Sequence, residues 1–344
     1  MGKYSLDAFE RYPLVKLRPA VAQPENECYR LVKLTPMAPK NGDWPNLPDG
    51  EGENVILKLD PDGRDLSGIC GFVRRTGAAC AGGRQLAGVV LTDGGFTGVS
   101  LEELVRAYHD SFHAAVLLAE PGSEAAEACR REGIPFGLWL DLKRGILPLR
   151  RSIGQNSLAR MWEKCPVYLY AGREMAPEEL DAARRWHCTG ADVPAPLGPR
   201  MTLRRMMFPR DLTAGGVMPL RMWWQNLGTA PLYRNAEIVL ELRNEGKRFA
   251  VPVTGEMKRP GLGDSTFNTT AALPRVPCGI FELWCGLCSG GKLLPLAMDA
   301  PEDRRMYRVG SITLDDIPRP YLKTMWEEQY ADGYYPLEDP AQPE

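Results

Sequence analysis

Short apolar segments alternate with amphipathic segments along the first half of the chain, and this alternation constrains the fold more than any other feature. The apolar segments, which we interpret as strands, are 29–34, 54–60, 86–93, 114–120, 135–141 and 166–170. The amphipathic segments, which we interpret as helices, are 101–112, 123–132, 156–164 and 177–187. Buried strands separated by helices form parallel sheets with helices outside them. The first half is therefore predicted to be a (β/α) domain.

Two of these helices carry clear start signals. Ser100 is followed three residues later by Glu103, which is a capping box. Ser123 precedes Glu124 and Glu127, and acidic residues are favoured in the first turn of a helix. Both serines are predicted to be N-caps.

The alternation of strand-like and helix-like segments stops at about residue 200. Strand-like segments are 217–225, 236–243, 247–253, 280–288, 292–298 and 307–314, and tight turns join them with no helix signal between. Such a pattern predicts an antiparallel β-sandwich. The stretch PAPLGP at 194–199 is the natural linker.

These patterns predict an α/β domain followed by an all-β domain. We assign 1–198 to a shortened TIM-barrel-like (β/α) domain, 199–316 to an immunoglobulin-like antiparallel β-sandwich, and 317–344 to an acidic tail. The barrel is predicted to be incomplete, because about 200 residues is the lower limit for eight (β/α) units. Only six strand candidates precede the linker.

The charge balance argues against nucleic-acid and membrane partners. The formal net charge is -2, so the chain lacks the basic excess that binds nucleic acid or anionic lipid. The N-terminal sequence lacks the basic start and apolar stretch of a secretory signal. We expect a cytoplasmic protein as the chain reads, or a secreted one if a signal was removed. The oligomeric state is left open.

Cysteine and histidine spacing gives two weak metal signals. Cys285 and Cys288 are spaced as C-x-x-C, but they lie in a strand-like segment, where positions three apart point to opposite faces. His109 and His113 are spaced to chelate zinc on one helix face, although histidines near a helix C-terminus are also favoured by its dipole. No further ligand completes either set. We therefore predict no metal and no cofactor.

Several predicted strands of the first domain end in a carboxylate. These are Asp60, Asp93, Glu120 and Asp141. In a parallel α/β barrel the C-terminal strand ends converge on one face, where ligands bind. Two carboxyl groups carry out glycoside cleavage, and such groups also bind divalent cations. Equally, carboxylates at strand ends can cap the following helices or hold loops.

The segment of the second domain that is richest in aromatic and polar side chains is WWQNLGTAPLYRN, which begins at Trp223. Strand alternation places Trp223 and Trp224 on opposite faces, so that one can be buried while the other is exposed. An exposed ring beside Gln225 and Asn226 would suit a sugar. A buried tryptophan next to a fixed turn is the alternative.

The same segment and the strands after it resemble a known family. The chain reads WWQNLGTAPLYRNAEIVLEL, then RPG at 259–261, then CGIFELWCGL, LPLAMD and MYRVGSITL. Over residues 201–314 this order resembles the bacterial domain of unknown function numbered 4832. The resemblance implies a sandwich that follows a barrel similar to glycosidases of the β-galactosidase kind. A weaker resemblance to the same family extends upstream, over the segments GVVLTDGGFTG and MWEKCPVYLY.

Two departures from the family pattern bear on activity. The family's glycine-rich turn continues into a Trp-Gly-Glu segment that resembles the catalytic acid site, whereas GGFTG here leads into VSLEELV. Glu102 aligns with that glutamate but lacks the flanking tryptophans. The family also places a glutamate directly after its PV strand, whereas here Glu174 comes several residues later. Glycoside hydrolysis needs two carboxyl groups in defined positions. With both family positions changed, the resemblance implies a cleft that binds sugar but does not hydrolyse it.

The main hypothesis is thus a glycosidase-like protein that binds carbohydrate at the strand-end face without cleaving it. Its candidate ligand-binding residues are Asp60, Glu102, Trp139, Asp141, Glu174 and Trp224. One alternative is an active glycoside hydrolase whose relocated catalytic pair is Asp93 and Glu120. Another is a protein–protein scaffold that acts through the sandwich. The residues do not specify a sugar or a linkage.

Overall fold

The computed structural model describes residues 14–16, 29–34, 54–59, 69–80, 86–93, 99–113 and 115–318. The chain divides into two compact units, Glu25–Gly198 and Pro199–Glu344, and the second unit also includes Met1–Pro24. Within the described ranges, no helix is long and apolar enough to cross a membrane.

Seven parallel strands form one sheet in the first unit, and their order in the sheet follows the sequence. These strands are β2 Tyr29–Leu34, β3 Asn54–Leu59, β4 Leu86–Val90, β5 Val116–Ala119, β6 Gly137–Asp141, β7 Val167–Tyr170 and β8 Gly190–Ala191. The first strand of the chain, β1 (Leu14–Lys16), belongs to the second unit. The predicted parallel α/β arrangement is confirmed at this level. The short β8 had no strand signal of its own in the sequence.

The sheet curls until it is nearly closed. Tyr29 on β2 packs against Trp139 and Tyr168, with ring centroids 6.0 and 5.5 Å apart. The strands β2 and β7 are five intervals apart, which would span roughly 24 Å in a flat sheet. Contacts across that interval require strong curvature, and the result is a barrel-like sheet with an inner and an outer face.

Five α-helices accompany this sheet among the described residues. They are α1 Ile69–Cys80, α2 Leu101–Ser111, α3 Glu124–Glu132, α4 Ile146–Gln155 and α5 Pro177–Arg185. Both predicted N-caps are confirmed, because the Ser100 hydroxyl accepts the amide of Glu103 at 3.1 Å and the Ser123 hydroxyl accepts that of Ala126 at 3.1 Å. Each bond satisfies an amide that the helix leaves unpaired at its start.

The helix predicted at 156–164 is wrong. The chain there forms turns and one 3₁₀ segment, Met161–Glu163, whereas the helix lies upstream at α4. Gly145 adopts a φ of 83°, which suits the glycine that precedes α4. Pro148 falls in the first turn, where a missing N–H costs no intrahelical bond. A proline at that position does not interrupt the helix.

The second unit contains two sheets around one core. The first has the order β1-β9-β11-β14, and the second has the order β10-β18-β15-β12-β13 with β16 and β17 at its margin. The strands are β9 Met201–Met207, β10 Asp211–Thr213, β11 Val217–Asn226, β12 Glu237–Asn244, β13 Lys247–Val251, β14 Gly263–Ala272, β15 Gly279–Ser289, β16 Lys292–Leu293, β17 Glu302–Asp303 and β18 Met306–Asp315. Side chains of both sheets, such as Trp224 and Leu283, join one buried cluster. The arrangement is a β-sandwich.

Five strands of this unit, β1, β9, β10, β14 and β17, lie outside the segments predicted from sequence. β14 reads GDSTFNTTAA and pairs along its whole length with β11, although its polar residues give no hydrophobic signal. β1 pairs antiparallel with β9, with Leu14 opposite Met207. The segment 14–16, which the sequence division put in the first domain, therefore completes a sheet of the second unit.

Candidate functional site

The inner face of the barrel-like sheet carries an aromatic cluster. Trp139 on β6 is fully buried there with Tyr29 and Leu118, whereas its neighbours Leu138 and Leu140 face the helices. Strand alternation produces this division, because successive side chains point to opposite faces. The Trp139 ring stacks on the half-buried Tyr170 ring of β7, with centroids 5.9 Å apart and planes 18° apart.

Tyr29 is held firmly within this cluster. Its hydroxyl donates a hydrogen bond of 2.6 Å to the carbonyl oxygen of Leu169. Burial, reinforced by the nearby charge of Asp192, raises the pKa of the Tyr29 phenol far above its usual value. The phenol is thus a neutral, structural donor rather than an acid–base group.

Polar side chains follow the ends of the successive strands β5 to β8. We call Glu120, Asp141, Tyr170 and Asp192, at the ends of β5 to β8, the strand-end site. Asp141 and Tyr170 are register partners in the sheet. The short 3₁₀ segment Leu142–Arg144 after β6 is attached to the end of β5, because Arg144 binds Glu120 at 2.6 Å. This edge corresponds to the ligand-binding face of parallel α/β folds.

Asp192 is a member of this site that the sequence interpretation missed. Its carboxylate accepts the backbone amides of Ala171 at 2.6 Å and Gly172 at 2.9 Å. It thereby fixes the turn that follows β7 from the end of β8. An aspartate after the apolar pair Gly190–Ala191 repeats the strand-end pattern, but a two-residue strand is too short to recognise by periodicity.

Asp141 and Lys143 shape the part of the site next to Tyr170. The Asp141 carboxylate accepts the amide of Lys143 at 2.9 Å and so caps the 3₁₀ segment. The Lys143 ammonium lies 5.3 Å from the centroid of the Tyr170 ring. An exposed cation–π contact of this kind contributes about 0.5–1 kcal/mol. A ligand can therefore displace the ammonium at little cost, or bind to it.

The proposed catalytic pair is engaged in structural bonds. Asp93 is exposed, and its carboxylate accepts the amide of Ala125 in the first turn of α3 at 3.0 Å. Glu120 is bound to the Arg144 guanidinium, as described above. These are the contacts expected of carboxylates that hold a helix start and a loop. Their role as catalytic groups stays a prediction.

The other acidic candidates among the described residues lie on α2 and on the loop after β7. Glu102 lies in the first turn of α2 and binds Arg131, with Nε and Nη2 at 3.0 and 2.6 Å from one carboxylate oxygen. A bond from its own backbone amide, followed by the bond from Arg131, lowers the pKa of Glu102. Glu174 is exposed on the loop after β7. Asp60 lies outside the described residues.

The two candidate tryptophans are both fully buried. Trp139 is covered by Tyr170, so a ligand at the strand-end site meets the tyrosine ring first. Trp224 lies in the core of the sandwich, and the expectation that it contacts a ligand is wrong. Trp223 is the partly exposed member of the pair, and its indole N–H donates to Asp264 at 3.0 Å. Strand alternation predicts that Trp223 and Trp224 face opposite sides of the sheet, but it does not predict which of the two is buried.

The metal signals found in the sequence are not assembled into a site. The helix α2 ends at Ser111, so His113 lies beyond it and loses the helical spacing from His109. In the part of the chain that the structure describes, no group of three or more His, Cys, Asp or Glu side chains is placed to hold a metal ion.

No protein-family model matches the chain, and no curated protein matches it. Solved structures give weak similarities. A mutant β-glucosidase from Listeria innocua in complex with laminaribiose aligns with 66% of this chain and 40% of its own at 13% identity, with a TM-score of 0.24. A β-glucosidase from Erythrobacter marinus aligns with 90% of this chain and 49% of its own at 11% identity, with a TM-score of 0.26. The chain therefore spans less than half the length of either enzyme.

A third similarity concerns a smaller part of the chain. A CARDB domain from Pyrococcus furiosus, in complex with metal ions, aligns with 34% of this chain and 89% of its own at 12% identity, with a TM-score of 0.21. All three similarities are too low to carry an inference about function.

Proposed function

We propose that this chain combines a shortened TIM-barrel-like domain with an immunoglobulin-like sandwich, and that it binds carbohydrate at the strand-end site without hydrolysing it. On this proposal the chain is a distant, glycosidase-like relative of the bacterial family that its second half resembles. The observation that carries the proposal is the Tyr170 ring, which is backed by Trp139 and surrounded by polar groups from neighbouring strand ends.

The chemistry of these groups suits a sugar. The apolar C–H face of a pyranose packs on an aromatic ring, while its hydroxyls need hydrogen-bond donors and acceptors around the ring edge. Asp141 supplies an acceptor beside Tyr170, and Lys143 supplies a donor above it. The buried stacking of Tyr170 on Trp139 keeps the ring in one orientation, which reduces the entropy lost when a ligand binds.

The state of the carboxylates supports binding rather than cleavage. Retaining and inverting glycosidases both need one carboxyl group as acid and a second as nucleophile or base. Asp93 already accepts a helix amide, and Glu120 already pairs with Arg144. A cleft that keeps its aromatic surface can still bind a sugar.

The test is a panel of oligosaccharides assayed in parallel for binding by calorimetry and for reducing-sugar release. We expect at least one oligosaccharide to bind the wild-type protein and none to be cleaved. The change Tyr170→Ala should weaken that binding about tenfold, near the upper limit for one aromatic contact. The matched control is Tyr233→Ala, at a half-buried tyrosine of the second unit.

Two results would contradict the proposal. If a folded wild-type protein releases reducing ends, the chain is an active hydrolase. If no oligosaccharide binds, or if Tyr233→Ala weakens binding as much as Tyr170→Ala, the strand-end site is not a carbohydrate site.

A further inference from the structure

A separate cavity of about 270 Å³ lies on the outer side of the parallel sheet. Its floor is formed by Leu138, Leu140 and Val167, which belong to the core beneath the helices rather than to the inner aromatic cluster. Its walls come from α4, α5 and the connection between β6 and β7. The cavity is therefore on the opposite face of β6 and β7 from the strand-end site.

Gly154 near the end of α4 lines this cavity and is exposed. A Cβ atom added at Gly154 would meet no other atom within 4 Å. Protein interiors are normally packed with few voids larger than one water molecule, which occupies about 30 Å³ in the liquid. A cavity several times that size, above an apolar floor, is available to a ligand. It is near the lower limit of the volumes that small-molecule sites occupy.

Two tryptophans form aromatic walls in defined positions. Trp162 stacks on His187 with ring centroids 3.7 Å apart and planes 22° apart. Trp186 is the C-cap of α5, and its backbone amide donates to the carbonyls of Ala182 and Arg184. Both residues line the cavity and both are only partly buried. Their rings offer an apolar surface to a planar molecule.

The charged residues that line the cavity are both arginines, Arg150 and Arg185. Arg185 pairs with Asp181 at 2.7 Å in an exposed position four residues away on the same helix. Arg150 has neither a hydrogen bond nor an ion pair with any residue in the described ranges. A guanidinium group is shaped to bind a carboxylate through two parallel hydrogen bonds. The rim thus carries uncompensated positive charge beside an apolar interior.

We propose that this cavity binds a small aromatic carboxylate. The ring lies on the apolar floor between the two tryptophans, and the carboxylate binds Arg150 at the rim. The apolar floor excludes a fully polar metabolite, and the arginines favour an anion over a neutral hydrocarbon. The size of the cavity limits the ring system to about one or two fused rings.

Naphthalene-2-carboxylate is a suitable probe, with naphthalene-2-carboxamide as the uncharged comparison of the same shape. We expect the carboxylate to bind the full-length protein by calorimetry, and the carboxamide to bind about tenfold more weakly, because it cannot form a charge-assisted pair. Gly154→Phe should abolish binding by filling the cavity. Gly261→Phe is the matched control, since Gly261 also has open space around its added Cβ but belongs to the second unit.

Arg150→Gln provides a second test that does not depend on the fit of a large side chain. Arg150 is exposed, so the variant should fold normally and lose about tenfold in affinity for the carboxylate but not for the carboxamide. The proposal is overturned if the carboxylate does not bind the wild type, if Gly154→Phe folds and still binds it, or if charge makes no difference. Oligosaccharide binding should be unchanged in both variants, which separates this proposal from the preceding one.

Discussion

The hydroxyl of Tyr29 donates a hydrogen bond of 2.6 Å to the carbonyl oxygen of Leu169, 140 residues further along the chain. Tyr29 belongs to β2 and Leu169 to β7, near opposite ends of the described strand order. The bond therefore joins the first strand of the curled sheet to the strand before the last, from the inside. It also supports the floor on which Trp139 and Tyr170 stack, because Tyr29 packs against Trp139.

The change Tyr29→Phe should lower the free energy of unfolding of the first unit by about 0.5–1.5 kcal/mol, the net worth of one neutral hydrogen bond. The ring is retained, so the packing against Trp139 should survive. Urea unfolding followed by circular dichroism measures the change. A variant as stable as the wild type would show that the bond does not help to close the sheet.

The stability of the first unit should fall as the pH rises above 9. Burial raises the pKa of the Cys129 thiol from its usual 9.0 to about 12 in the folded protein. Its stabilising contribution is complete below the unfolded pKa and is lost as the pH rises from 9 towards 12, by about 1.4 kcal/mol per pH unit. Urea unfolding at about pH 8 and pH 10.5 should show this decrease, and Cys129→Ala should make it smaller. An equal decrease in the variant would refute the assignment to Cys129.

Parts of the fold follow from local signals in the sequence. The serines at 100 and 123 mark helix starts because their hydroxyls accept an amide of the first turn, while the glutamates that follow them supply a favourable charge. The apolar segments of β3 to β7 are long enough to recognise. By contrast, β14 consists mainly of small and polar residues, and it forms a strand because β11 beside it offers a complete ladder. That partner lies far away in sequence, so no local pattern reveals it.

The candidate site was predictable in position but not in detail. Strand-end carboxylates do mark the C-terminal edge of the sheet, as Asp141 shows. Their hydrogen-bond partners come from elements elsewhere in the chain, such as Ala125 for Asp93 and Arg144 for Glu120. Sequence position cannot say whether a carboxylate is free or already bonded. For the same reason Asp192 was missed, since its role arises from the turn after β7.

Replacing Asp192 should destabilise the turn that borders the strand-end site. Asp192→Ala leaves the amides of Ala171 and Gly172 without their acceptor, and we expect a loss of about 1.5–3 kcal/mol, as for hydrogen bonds to a charged group. Asp192→Asn keeps one acceptor oxygen and should lose less. Hydrogen exchange of the two amides should accelerate in the alanine variant. Asp181→Ala, which removes an exposed carboxylate from α5, serves as the control and should cost under about 0.5 kcal/mol.

The adjacent tryptophans of β11 should differ sharply in their effect on the second unit. Trp224→Ala removes a fully buried side chain from the sandwich core and should cost about 3–5 kcal/mol. Trp223→Ala removes a partly exposed ring that packs across the strand against Arg205, and it should cost roughly 1 kcal/mol. Thermal unfolding of the two variants provides the comparison. Similar losses in both would contradict the assigned faces of β11.

Asp93 offers the clearest separation between a structural and a catalytic carboxylate. If its work is to accept the amide of Ala125 at the start of α3, Asp93→Ala should cost about 1 kcal/mol of stability. Asp93→Asn should lose much less, because the amide oxygen of asparagine can accept the same bond. A catalytic acid, base or nucleophile behaves differently, since asparagine can neither ionise nor donate a proton as a carboxyl group does. If the wild type releases reducing sugar and both variants do not, Asp93 is a catalytic residue. If none of the three proteins releases sugar and the asparagine variant is as stable as the wild type, the role of Asp93 is to hold the start of α3.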